Sequence, residues 1–182
     1  MGIEKNKNQL FIIALTVGFF MGILYENLFA GNQGTAPELF QKSTLQQYLQ
    51  LEVISHTYLW YVLKERMLFV GALYVIGFLK WKKAVALGFL GLCGFLFGML
   101  SVSSVLNLGI GGLFLCILGL LPHGVFYGMG LVVLLYHWYR YLNRKWNRMK
   151  LLFCFVVFIL GILSEVYVNP WIMKWIIPIV LY

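Results

Sequence analysis

The residues of this sequence that are best placed to do chemistry are two glutamates, an arginine and a histidine in apolar surroundings. Glu26 and Glu165 lie near the outer ends of two long apolar runs, Arg66 begins another run, and His123 lies inside a fourth. A charged side chain in a membrane-spanning segment is unfavourable without a partner or water, so these residues are candidates for pairing or function.

We predict that Arg66 pairs with Glu165, with Glu26 or with both, because arginine binds one carboxylate through two parallel hydrogen bonds and still offers other donors. The alternative is that each side chain extends separately into the lipid headgroups. A paired cluster would have one of two roles. It would tie three helices together, or it would line a polar cavity for a substrate or ion. His123 is interpreted as a neutral, hydrogen-bonded structural residue, with catalysis as the alternative.

No familiar catalytic pattern occurs in the sequence. Aspartate is absent, and no two of the six glutamates lie at short spacing from each other. HExxH, GxSxG, Walker, CxxC and dinucleotide patterns are missing as well. Cys93, Cys116 and Cys154 show no metal-ligand spacing. We therefore predict no catalytic residues, no metal, no cofactor and no enzyme activity.

The composition indicates a membrane protein. Hydrophobic residues make up 62% of the 182 residues and charged residues only 11%. A soluble globule could not cover its surface with so few polar groups. The net charge of +8 comes from short basic clusters that flank apolar runs, a pattern typical of membrane orientation rather than of nucleic-acid binding.

The apolar runs predict a single all-α, polytopic transmembrane domain with about five membrane-spanning helices and one amphipathic external helix. We place the amphipathic helix at about residues 37–63, after a Thr35–Glu38 capping box. Asn169 and Pro170 are expected to end the last span. The five spans are expected at about residues 10–29, 66–81, 84–105, 113–138 and 151–168.

A helix break is predicted near residue 122. The apolar run from Leu106 to Trp138 would extend to roughly 50 Å as one helix, against a hydrocarbon core of about 30 Å. Pro122 removes a backbone donor and Gly124 permits unusual backbone angles, with His123 between them. We expect this break to pack against the glycine-rich side of the third span.

Three GxxxG spacings predict close helix packing, although glycine is also simply common in membrane helices. They are Gly18 with Gly22, Gly94 with Gly98, and Gly124 with Gly128.

With five spans, the basic residues segregate strongly. Ten fall on one side of the membrane, and only Lys42, Lys64, Arg66 and Lys174 fall on the other. The positive-inside rule then predicts a cytoplasmic N-terminus and an external C-terminus.

Several segments together resemble the stage II sporulation protein M family of multipass bacterial membrane proteins. The most specific is Leu120–Gly124, the sequence Leu-Leu-Pro-His-Gly. Many members carry a glutamate shortly after that element, where this chain has Phe126 and Tyr127. Further likeness is found at Met21–Leu24, in the glycine-rich third span, and at Gly161–Glu165 and Val168–Pro170.

The resemblance implies a scaffold in the bacterial cell membrane that acts with membrane or cell-wall-hydrolase partners in septal wall remodelling and engulfment during sporulation. A homo-oligomer is compatible with this role. The alternative from another class is a small permease or channel subunit, since broken helices with polar groups also occur at transport sites.

Overall fold

The computed structural model describes residues 2–30, 38–50, 56–76, 81–140 and 148–181. These residues are helical almost throughout. The elements, numbered here in chain order, are α1 (Gly2–Tyr25) with a π-helical turn (Glu26–Ala30), a 3-10 turn (Glu38–Phe40), α2 (Lys42–Gln50), α3 (His56–Ile76), α4 (Lys82–Arg140), α5 (Arg148–Leu163), a second π-helical turn (Ser164–Val168) and α6 (Asn169–Leu181).

Three helical stretches are long and apolar enough to cross a membrane: Gln9–Phe29, Lys83–His137 and Arg148–Leu181. Only 11%, 17% and 39% of their most apolar windows are buried inside the protein, so most of this apolar surface points outward. Exposed apolar surface on that scale is typical of helices surrounded by lipid. α3 is not among the three stretches, because Lys64, Glu65 and Arg66 lie in its middle.

Within α4 the backbone breaks at Gly109, with φ 65° and ψ −148°. A Cβ atom on Gly112 would overlap the carbonyl oxygen of Ser104 and would approach the side chain of Leu108. In a straight helix residues 104 and 112 would lie about 12 Å apart. The chain therefore doubles back at Gly109, and α4 has a first arm (82–108) and a second arm (110–140).

The predicted break near residue 122 is therefore wrong. The backbone is helical at Pro122, His123 and Gly124, and Gly109 is the position with non-helical angles inside α4. A left-handed φ is readily available only to glycine, whereas a proline removes a single hydrogen bond and is tolerated in apolar helices.

The region predicted as one amphipathic helix at 37–63 is divided among the 3-10 turn, α2 and the start of α3. Residues 51–55 lie outside the described part of the chain. The predicted capping box, except for Glu38, and most of the basic segment between α4 and α5 lie outside it as well. α3 begins at His56, ten residues before the expected start of the second span.

The expectation that Asn169 and Pro170 end the last span is also wrong, because the π-helical turn leads directly into α6. The Asn169 N–H donates to the carbonyl of Ser164, five residues back. Pro170 stands second in α6, and proline is accepted in the first turn of a helix.

The described chain divides into two compact units. The first comprises Met1–Leu49, Ala84–Cys116 and Ile179–Tyr182, and the second comprises Gln50–Lys83 and Ile117–Pro178.

In the first unit, α1 packs closely on the first arm of α4. A Cβ atom on Gly18 would overlap the carbonyl oxygen of Gly91, and one on Gly22 that of Phe95. Gly94 and Gly98 in turn lie against the backbone of α1, at Leu15 and Phe19. Because residue numbers rise together in both helices, α1 and this arm are parallel. The glycine-rich side of the third span thus faces α1.

The third GxxxG spacing behaves differently. A Cβ atom on Gly124 or Gly128 would meet nothing within 4 Å. Within the described residues, Gly128 is not a helix-packing position, contrary to our expectation.

In the second unit, the second arm of α4 runs antiparallel to α5. The Cys154 thiol donates to the carbonyl of Gly130 at 3.9 Å, and a Cβ atom on Gly130 would lie 3.0 Å from the Phe158 ring. Tyr127, three residues before Gly130, lies against Gly161, which is three residues after Phe158. The residue numbers of the two helices therefore run in opposite directions. α3 joins this pair through a core of Val62, Ile162 and Val166.

Candidate functional site

Arg66 and Glu165 form a two-pronged ion pair in the second unit. The Arg66 Nε donates to Oε2 of Glu165 at 3.0 Å, and Nη2 donates to Oε1 at 2.5 Å. The Glu165 side chain is 11% exposed and the Arg66 side chain 44%. Parallel donation from a guanidinium fork fixes both distance and orientation, so this pair joins α3 to the π-helical turn after α5.

Tyr127 completes this group, which we call the Arg66–Glu165–Tyr127 cluster. Its hydroxyl donates to Oε2 of Glu165 at 2.6 Å, and its ring centroid lies 5.6 Å from the Arg66 guanidinium carbon. The ring thus contacts the cation through its face while the hydroxyl satisfies the carboxylate. One residue from α4 thereby contacts both partners of the ion pair.

Gly161 makes room for the tyrosine ring. A Cβ atom there would lie 2.6 Å from the ring. Below the ring, Val62, Ile162 and Val166 form a buried core on which Tyr58, Leu59 and Tyr127 pack. The ion pair therefore lies directly above an apolar core, where loss of either charge would leave the other poorly solvated.

His123 and Tyr58 surround the cluster. The His123 ring meets the Tyr127 ring edge-to-face at 5.9 Å, and its buried Nδ1 has no hydrogen-bond partner in the described part of the chain. Tyr58, on α3, packs on the apolar core beside the ion pair.

The geometry of the Arg66–Glu165–Tyr127 cluster is better suited to holding helices together than to catalysis. Both carboxylate oxygens of Glu165 accept hydrogen bonds, and the positive and negative charges cancel. A general base needs an oxygen free to take a proton, and a nucleophile needs a base beside it. Among the described residues, no group of three or more histidine, cysteine or acidic side chains is placed to hold a metal ion.

Glu26 belongs to the first unit and has a different environment. It is 2% exposed, and its Oε1 atom has no hydrogen-bond partner among the residues that the structure describes. The hydroxyl of Ser103, which is fully buried, is likewise unpartnered. A Cβ atom on Gly98 would approach the amide nitrogen of Ile23, so Glu26 and Ser103, which follow these residues on the two parallel helices, lie within about one turn of each other along the helix axis.

A cavity of about 300 Å³ lies at that level in the first unit. Its polar lining comes from Asn27, whose amide nitrogen donates to the Ile23 carbonyl, and Ser101, whose hydroxyl donates to the Phe97 carbonyl.

Glu26 and Glu165 occupy the same local motif, which our sequence reasoning did not use. Gly22–Glu26 reads Gly-Ile-Leu-Tyr-Glu, and Gly161–Glu165 reads Gly-Ile-Leu-Ser-Glu. In both places the glycine packs closely on α4 and the glutamate lies in a π-helical turn. Such turns widen the helix locally and are frequent at functional sites.

Two further residues were missed. The hydroxyl of Tyr127 could be noticed only as the polar group replacing a glutamate in the resemblance, and Ser103 is one of three closely spaced serines in an apolar run. Asn169, a predicted candidate, begins α6, and its buried Oδ1 has no partner among the described residues.

Comparison with known proteins gives no family: no protein-family description, no curated protein and no solved structure matches this chain.

Proposed function

We propose that the protein is a multipass scaffold of the bacterial cell membrane that anchors partner proteins and has no enzymatic activity. The observation that carries this proposal is the Arg66–Glu165–Tyr127 cluster, in which one arginine, one glutamate and one tyrosine hold three helical segments of the second unit together. The role in sporulation septal wall remodelling, with cell-wall hydrolases as partners, follows from the resemblance to the stage II sporulation protein M family.

We place five membrane spans in this scaffold, with the N-terminus in the cytoplasm and the C-terminus outside. The reversal at Gly109 supports counting the two arms of α4 as separate spans. The helix directions agree with this count. α1 and the first arm are parallel in the first unit, and the second arm and α5 are antiparallel in the second unit.

Partner capture tests the scaffold role. A photo-crosslinking amino acid replaces Trp60, which is 67% exposed on α3, and in a matched variant it replaces the buried Val62. We expect a discrete crosslinked protein, identified by mass spectrometry, from position 60 and none from position 62. Crosslinks to lipid alone from position 60, and from Trp171 at 63% exposure, would contradict the proposal.

A permease or channel subunit is the second candidate, and the buried oxygens of Glu26 and Ser103, which have no hydrogen-bond partner among the described residues, favour it. A buried carboxylate within apolar helices is a common feature of ion and proton pathways. Protein in liposomes should then pass sodium ions or protons, and Glu26→Gln should abolish the flux while Glu65→Gln, in the other unit, leaves it unchanged. Equal leakage with and without protein rejects this candidate.

A further inference from the structure

An apolar cavity of about 570 Å³ lies within the second unit, where α3, the second arm of α4 and α5 meet. Its walls are apolar side chains, among them Met67, Val70, Leu134, Leu151 and Phe155. Leu151 and Phe155 are about half exposed, so the cavity opens on a surface that faces lipid in a membrane. Its size lies within the range of about 300–1,000 Å³ that is usual for small-molecule sites.

Arg148 is the one charged residue of this lining. It is exposed and is the first residue of α5, so it lies at the helix end where the backbone N–H groups have no partner within the helix. A helix N-terminus and a guanidinium both favour an anion, and guanidinium groups bind phosphate through parallel hydrogen bonds. The cavity therefore combines an apolar body with an anion-binding end.

We propose that this cavity binds an anionic phospholipid, with an acyl chain among Met67, Val70 and Phe155 and the phosphate at Arg148. A phospholipid has the required chemistry, a negative charge joined to a long apolar chain, and the bilayer supplies it at high concentration. Basic sites between helices at a membrane surface bind anionic headgroups in this way. The inference requires a membrane environment but not the scaffold role.

Gly71 offers a direct way to fill the cavity. It lines the cavity, and a Cβ atom there would meet nothing within 4 Å, so Gly71→Phe projects a ring into open space without disturbing packing. Gly88 is the matched control, since it is also helical and exposed with nothing within 4 Å, but it lies in the first unit.

The measurement is native mass spectrometry of detergent-purified protein incubated with phosphatidylglycerol, phosphatidylcholine or oleate at equal concentration. We expect phosphatidylglycerol to be retained at least tenfold more than phosphatidylcholine. Gly71→Phe should abolish retention of both lipids, and Gly88→Phe should not. Arg148→Gln should remove the preference for phosphatidylglycerol, while Arg148→Lys restores most of it.

Three outcomes would overturn the proposal. Equal retention of both phospholipids by the original and Arg148→Gln proteins indicates only non-specific surface lipid. Displacement of phosphatidylglycerol by an equal concentration of oleate indicates a fatty-acid site. A change in oligomeric state with Gly71→Phe, without loss of lipid, indicates that a second copy covers the cavity. Thermal melting of each variant verifies that it is folded. The partner crosslinking experiment tests the scaffold role, and none of these three results affects its outcome.

Discussion

Glu165 is the residue on which the polar contacts of the second unit converge. It accepts two hydrogen bonds from Arg66 and one from Tyr127, from two different helices. Glu26 shares its local sequence motif, but its buried Oε1 atom has no hydrogen-bond partner among the described residues. The same residue type in the same kind of π-helical turn therefore supports an ion pair in one unit and, in the described part of the other, a buried oxygen without a partner.

A charge exchange tests the ion pair. Arg66→Glu should destabilise the protein in detergent by roughly 1–3 kcal/mol, because it removes charge-assisted hydrogen bonds and places two carboxylates together. Adding Glu165→Arg should restore part of the loss, which thermal melting followed by size-exclusion chromatography would measure.

The control for this exchange places the new arginine one residue away from position 66. Glu65→Arg added to Arg66→Glu should give little recovery, because Glu65 is exposed and lies on a different side of α3. If the Arg66→Glu, Glu165→Arg double variant shows only additive damage, the two side chains do not interact.

Residue-level chemistry could be predicted from the sequence only in part. The pairing of Arg66 with Glu165 follows from the high free energy of an isolated charge at the edge of hydrocarbon, which leaves few alternatives. Tyr127 was not foreseen, because its role depends on the space that Gly161 leaves on a neighbouring helix. A sequence shows spacing along one helix but not which side chains meet between helices.

At the level of the elements, the helical regions follow directly from apolar run length, but their interruptions do not. Proline was expected to interrupt α4 at residue 122, yet the interruption is at Gly109. One lost hydrogen bond can be accommodated inside a helix, whereas reversal of the chain needs a residue that adopts a positive φ.

Substitution at these two positions tests that explanation. Gly109→Ala should destabilise the protein by roughly 1–2 kcal/mol, since a side chain is strained at a φ of 65° whatever the space around it. Pro122→Ala should be neutral or stabilising, because it returns a backbone donor to a helix. Thermal melting in detergent compares the two variants, and greater damage from Pro122→Ala would restore the original interpretation.

The contact between α1 and the first arm of α4 gives a second test at this level. Gly98→Leu should reduce the yield of monodisperse protein severely, because the Cβ atom alone would overlap the backbone of Phe19. Gly88→Leu on the same arm should be tolerated, since nothing lies within 4 Å of its Cβ position. Equal yields on fluorescence-detected size-exclusion chromatography would show that the two helices do not pack through their glycines.

At the scale of the molecule, most apolar side chains among the described residues lie outside the two cores. Trp175 and Ile179 on α6 and Phe20 on α1 are all more than half exposed. This distribution is the reverse of a soluble protein of the same size and is explained by a lipid surrounding. The class of the protein could therefore be predicted from composition alone, whereas its division into two units depends on which helices pack together.

The proposed topology can be tested by cysteine labelling of intact cells after Cys93, Cys116 and Cys154 are replaced by alanine. Asn32→Cys and Lys174→Cys should react with a membrane-impermeant maleimide, and Asn143→Cys should react only after the membrane is permeabilised. The physical reason is the unequal distribution of basic residues, ten against four, on the two sides of a five-span arrangement. An even number of spans would put Asn32 and Lys174 on opposite sides, so labelling of only one of them from outside would contradict five spans. Labelling of Asn143→Cys in intact cells would invert the proposed orientation.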